Sequence, residues 1–129
     1  MYAVDTNVIV RLVVDDDAAQ SKRAATLFNK EFILIPTTVA LETEWVLRRV
    51  YRLDRSTILS ALRKLGGLAN VEFENSPAVG SALRWYEDGL DFADALHLAS
   101  SAGADAFATF DAQMQRDAPR GSSPPVRLL

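Results

Sequence analysis

Hydrophobic positions along the chain alternate between short unbroken runs and a helical spacing. Tyr2-Ala3-Val4 is a brief apolar run stopped by Asp5-Thr6-Asn7, whose side chains are of the kind that cap helix N-termini. Val8, Ile9, Leu12 and Val13 then recur with a helical period until Asp15-Asp16-Asp17 breaks it. A second helix is predicted from Ala18 to Asn29, with Ala24, Ala25, Leu27 and Phe28 turned inward. Phe32-Ile33-Leu34-Ile35 is strand-like and closes at Pro36, after which Thr37-Thr38 caps a helix to about Tyr51. Asp54-Arg55-Ser56 opens another helix to about Leu65, which Gly66-Gly67 ends. Val71-Glu72-Phe73 reads as a strand, Pro77 to Glu87 as a helix, and Asp91 caps one more helix to about Ala102. Ala106 to Phe110 is a strand. The Pro-, Ser- and Gly-rich remainder is a loop until Val126-Arg127-Leu128-Leu129, a short closing edge strand.

Strands alternating with one or two helices are the rhythm of an α/β domain with a parallel sheet. No internal repeat and no linker interrupts it, so residues 1–129 are expected to form one domain. With 49% hydrophobic and 24% charged residues the chain has the apolar mass for a core and is too apolar for a disordered segment. No apolar run approaches the roughly 18 residues of a membrane span. The opening Met1-Tyr2-Ala3-Val4-Asp5 lacks the basic start and apolar stretch of a signal peptide, so a soluble, cytoplasmic protein is expected.

Composition also narrows the chemistry. Cysteine is absent and His97 is the single histidine, which excludes thiolate nucleophiles and Cys-ligated zinc and disfavours a Ser-His-Asp arrangement. Lys+Arg 14 against Asp+Glu 17 gives a formal net charge of −3, unlike a globally basic nucleic-acid binder. All the cations except Lys22, Lys30 and Lys64 are arginines, a bias that suits phosphate or carboxylate recognition. Arg48, Arg49, Arg52 and Arg55 form a dense basic run. It is either a solvated helix end favoured by the C-terminal dipole or a contact for RNA.

The acids carry the candidate chemistry. Ligands of open parallel sheets bind beyond the carboxyl ends of the strands, where Asp5 ends the first run and Asp111 follows Thr109-Phe110. Each is equally explained, taken alone, as a cap or turn residue. Glu42 is three residues after Val39 and three before Trp45, which predicts a carboxylate on the buried face of its helix and in need of a cation. Glu44, four residues before Arg48, is expected to form an ordinary surface ion pair. Asp94 is in the first turn of the helix capped by Asp91, a position the helix dipole explains only in part. Asp15, Asp16 and Asp17 read as a solvated turn. Oxygen ligands without cysteine suit magnesium or manganese, and such sites support metal-assisted phosphodiester hydrolysis.

Val4-Asp5-Thr6-Asn7, Leu41-Glu42-Thr43-Glu44-Trp45-Val46-Leu47, Asp91-Phe92-Ala93-Asp94-Ala95-Leu96 and Thr109-Phe110-Asp111 together resemble the PIN-domain ribonucleases. More narrowly, they resemble the VapC-type toxins of toxin–antitoxin pairs. The resemblance spans nearly the whole chain in the family's order. It implies a PIN-like three-layer α/β fold, a mostly parallel sheet of four to five strands flanked by helices. It places the family's four acids on Asp5, Glu42, Asp94 and Asp111, with Asp91 a poorer match for the third. Asp5, Asp94 and Asp111 would hold Mg²⁺ or Mn²⁺, while Glu42 completes the site or orients water. Thr6, Asn7 and Thr109 match the small polar residues beside the acids and would support a carboxylate or a phosphate. The implied activity is endonucleolytic cleavage of RNA by a metal-activated water, with a cognate antitoxin and a homodimer as partners.

Rival α/β sites fit less well. A phosphoacceptor domain wants a late lysine, whereas the last one here is Lys64, and a dehalogenase-like phosphatase wants Asp-x-Asp-x-Thr where this chain has Asp5-Thr6-Asn7-Val8. A catalytically silent PIN fold that binds RNA or protein is the remaining alternative. Trp45, Val50, Tyr51, Leu53, Ile58, Leu59 and Leu62 supply more apolar surface than one sheet face needs, which predicts a helical hairpin available for self-association.

Overall fold

Seven helices and five strands follow one another through residues 1–129 of the computed structural model, and every strand pairing is parallel. The chain divides into two compact units, Met1–Glu74 and Asn75–Leu129. No helix is long and apolar enough to cross a membrane.

In the first unit the order is β1 (Tyr2–Ala3), α1 (Thr6–Val13), α2 (Ala18–Lys30), β2 (Ile33–Ile35), α3 (Thr37–Arg49), α4 (Arg55–Gly66) and β3 (Val71–Phe73). Strand β2 is central, with Tyr2 opposite Ile33 on one side and Ile33 opposite Val71 on the other. Ile33 and Ile35 are buried, as are Val71 and Phe73, while Glu72 between them is exposed, which is the two-residue alternation of a strand. Three helices start where an aspartate side chain takes up an orphan backbone N–H: Asp5 for α1, Asp17 for α2 and Asp54 for α4. Gly66 ends α4 against the ring of Phe73, where a Cβ would stand 2.9 Å from that ring's Cε2.

The face that α3 buries differs from the one its apolar spacing predicts. Ala40, Thr43, Glu44 and Leu47 point inward, whereas Glu42 is exposed and Trp45 keeps half of its surface in solvent. Both stripes repeat at three and four residues, so periodicity does not separate them. Size does, because the small Ala40 and Thr43 let the helix backbone approach its neighbours. The Thr43 hydroxyl is also satisfied internally, donating to the Val39 carbonyl at 2.7 Å.

The second unit runs α5 (Ser76–Glu87), α6 (Phe92–Ala99), β4 (Phe107–Thr109), α7 (Ala112–Asp117) and β5 (Val126–Leu128). Helices α5 and α6 pack through buried Ala82, Leu83, Ala95, Leu96 and Leu98, and Tyr86 meets Phe92 edge to face with centroids 5.3 Å apart. Strand β5 closes on β4, Phe107 opposite Val126. Helix α6 stops at Ala99, short of Ala102, and α7 occupies what reads in the sequence as loop. The five strands thus form a three-stranded sheet, β1-β2-β3, and a two-stranded sheet, β4-β5.

Candidate functional site

Each unit carries one pair of the candidate acids, at points where a strand hands over to a helix or on the first turns of a helix. In the first unit the backbone leaves β1 extended at Asp5 and turns into α1. The Asp5 carboxylate accepts the Thr6 backbone N–H at 2.7 Å. The Thr6 side chain, only 3% exposed, donates its hydroxyl to Glu42 Oε1 on α3 at 2.5 Å. One buried threonine therefore engages both carboxylates, the first through its main chain and the second through its side chain. Asn7 follows with its side chain exposed on the first turn of α1.

In the second unit Asp91 caps α6, its Oδ2 accepting the Asp94 backbone N–H at 3.1 Å. Asp111 caps α7, accepting from the Gln113 and Met114 backbone N–H groups at 2.9 and 3.2 Å. Its own N–H donates to Thr109 Oγ1 at 3.0 Å, which fixes the turn out of β4. Asp94 is half-buried, and its carboxyl is held above the usual range first by loss of hydration. The neighbouring charges of Asp91 and Asp111 push it further up, Asp117 adds to them, and His97 opposes them. Asp94 therefore stands where negative charge accumulates.

Asp117, at the end of α7, accepts both of its hydrogen bonds from the Gln113 side chain, at 3.0 and 2.9 Å. The signal for this helix was present in the sequence as an aspartate cap followed by Ala112, Gln113, Met114, Gln115 and Arg116, all good helix formers.

The Arg48–Arg55 run does not form one surface. Arg48 reaches back to Glu44, Nε to Oε2 at 2.9 Å, and Glu44 is 2% exposed. That ion pair is buried on its Glu44 side and open to solvent on its Arg48 side, unlike the surface pair expected, because α3 is rotated so that Glu44 faces inward. Arg49 and Arg52 are exposed, the latter in a left-handed backbone conformation at φ 55, and Arg55 is exposed on the first turn of α4.

No three carboxylates or imidazoles gather into a ready-made metal cage. That arrangement still fits a magnesium-type ion, which is bound through one or two carboxylates and retains water and substrate oxygens as its other ligands. The donor set is oxygen alone, which suits such a hard cation.

The PIN domain model matches residues 2–119. The chain belongs to the PIN domain family. No curated protein and no solved structure matches it. Seven helices with parallel sheets are the α/β class of that family, and PIN domains are typically nucleases, generally with divalent metals.

Proposed function

We propose that this PIN domain is a Mg²⁺- or Mn²⁺-dependent endoribonuclease and the toxin component of a type II toxin–antitoxin pair. The observation that carries the nuclease reading is the half-buried Asp94, whose carboxyl is raised by burial and by Asp91 and Asp111. A purely structural acid would be expected to have a cationic partner, whereas around this one Asp91 and Asp111 outweigh His97.

In this reading Asp94 and Asp111 are the residues that would hold the ion. When bound, it supplies a water activated for attack and neutralises the charge that develops on the leaving oxygen. Thr6 keeps Glu42 oriented by donating to Oε1, leaving Oε2 for a water or a substrate hydroxyl. Thr109 fixes the Asp111 main chain by accepting its N–H, and the α7 backbone N–H groups of Gln113 and Met114 hold its carboxylate. The toxin role, a cognate antitoxin and a homodimer are supported by the resemblance of the four motifs to VapC-type proteins.

The test is cleavage of total cellular RNA by purified protein with Mg²⁺, Mn²⁺ or EDTA, followed by sequencing of the new ends. Discrete cuts that need the metal and vanish in Asp94→Asn are expected. Metal-independent binding of RNA with no cleavage would instead assign the silent binding module. Growth arrest on expression, relieved by the product of an adjacent gene, tests the toxin role separately.

A further inference from the structure

A cleft between α1 and α2 begins one residue beyond Thr6, and neither strand connections nor the acid set account for it. Its volume is about 380 Å³, within the range of small-ligand pockets. Val8, Ala24 and Leu27 form an apolar floor, and Asn7, Arg11 and Arg23 stand along its rim. Asn7 and Arg11 are four residues apart on α1 and so lie one above the other on the same face.

The two arginines are prepared differently. Arg11 is locked: Nε donates to Gln20 at 2.7 Å, and Nη1 donates to Asp16 at 3.2 Å and to the Tyr51 hydroxyl at 3.1 Å. Tyr51 in turn donates to Asp16 Oδ2 at 2.9 Å, so the guanidinium is fixed from several sides while Nη2 makes no hydrogen bond. Arg23 is exposed and engages in no ion pair or hydrogen bond. Asp16 pairs with Arg11 and Asp17 adds to the negative charge facing it, so Arg23 is the cation on the rim whose charge no ion pair takes up.

Resting on the nuclease reading, we propose that this cleft is a nucleotide subsite for single-stranded RNA flanking the position that is cut. Arg23 and the open edge of Arg11 take a backbone phosphate, and Asn7 hydrogen-bonds the sugar or the base edge. The base lies on Val8, Ala24 and Leu27 beside the fixed Arg11 plane. The aliphatic floor shelters the face of an unstacked base from water, and the guanidiniums at the rim suit its phosphate. A preorganised Arg11 loses little freedom on binding, which favours this site over exposed, unordered cations. The cleft opens at the α1 start that carries Asp5 and Thr6, so an occupying nucleotide is a near neighbour of the Asp5–Glu42 pair in sequence and in the same unit.

The experiment uses a fluorescent single-stranded RNA oligonucleotide of mixed sequence and the full chain. Anisotropy is read across a salt series, and cleavage kinetics are measured in parallel. Arg23→Ala is expected to weaken binding about tenfold and to lower the salt slope by about one, as loss of one phosphate contact does. KM rises by a similar factor while kcat changes little, and Arg23→Lys retains much of the affinity. Leu27→Trp, which fills the floor, weakens binding without changing the salt slope. Because Arg23 is exposed, its variant folds as wild type, checked by thermal melting. Equal affinity and salt slope in wild type and Arg23→Ala overturns the proposal, as does absence of RNA binding by wild type. Unchanged RNA binding with loss of a co-purifying protein overturns it too, and assigns the cleft to a protein partner. Weakened binding in a chain that never cleaves RNA leaves the subsite standing and removes the nuclease reading.

Discussion

Glu42 and Glu44, two residues apart on α3, face opposite environments: Glu42 is exposed and takes the Thr6 hydroxyl, while Glu44 is 2% exposed and takes Arg48. Two positions on a helix are about 200° apart, so one carboxylate is open to solvent and the other is part of the core.

The pair separates function from stability by mutation. Glu42→Gln is expected to abolish most RNA cleavage with the thermal midpoint nearly unchanged. Glu44→Leu is expected to destabilise the fold by about 1–3 kcal/mol, because Arg48 loses its carboxylate and the polar contacts at that buried position are left unmet. Denaturant unfolding and cleavage assays on the two variants check this. Equal stability losses in both would contradict the assignment.

Thr6→Val keeps shape and burial but removes the only group that joins the Asp5 turn to Glu42. Cleavage is expected to fall about 10–100-fold, the usual effect of losing a residue that orients a functional carboxylate. Stability should change by about 0.5–1.5 kcal/mol, since solvent replaces the lost donor at the exposed Glu42. Thr6→Ser, which keeps the hydroxyl, should restore most of the rate.

Asp94 makes the metal-free fold sensitive to pH in a defined direction. Its folded-state pKa is raised from 3.8, so its contribution to stability is present below the unfolded pKa and is lost as pH rises through the folded one. Glu74, lowered by the backbone N–H and hydroxyl of Thr37, acts oppositely: its contribution is present above its unfolded pKa and disappears as pH falls through the folded one. In EDTA, Asp94→Asn should therefore gain stability relative to wild type at neutral pH and lose that advantage near pH 4, an acid limit set by ordinary carboxyl values of about 4. Added Mg²⁺ should raise the wild-type midpoint and leave the variant's little changed. A wild-type minus variant difference that is flat with pH would remove the electrostatic account.

Trp45 and Val50 remain 50% and 61% exposed at the C-terminal part of α3, whereas Ile58, Leu59 and Leu62 of α4 are buried. If a second copy covers the exposed pair, Trp45→Asp with Val50→Asp should convert a dimer into a monomer in light scattering at tens of micromolar protein. The fold should be retained, because exposed residues contribute little to the core. A wild type that is monomeric under those conditions would count against the homodimer.

Local chemistry made much of this molecule readable in one dimension. Aspartate caps at Asp5, Asp54 and Asp91 follow from short side chains meeting orphan N–H groups, and strands such as Val71–Phe73 follow from alternation. The positions of the acids at strand ends and helix starts were legible for the same reason. What sequence spacing left open was decided by packing. Two stripes on α3 have equal periodicity, and only the close approach permitted by Ala40 and Thr43 turned Glu44 inward and Glu42 outward. Likewise Asp94 gained its raised pKa from burial and from Asp91 and Asp111, the second of which is seventeen positions along the chain. The Arg11–Gln20–Asp16–Tyr51 network joins residues up to 40 positions apart, so no local pattern announces it. Caps and alternation depend on neighbours in sequence, whereas burial and field depend on neighbours in space, and those exist only once the chain has folded.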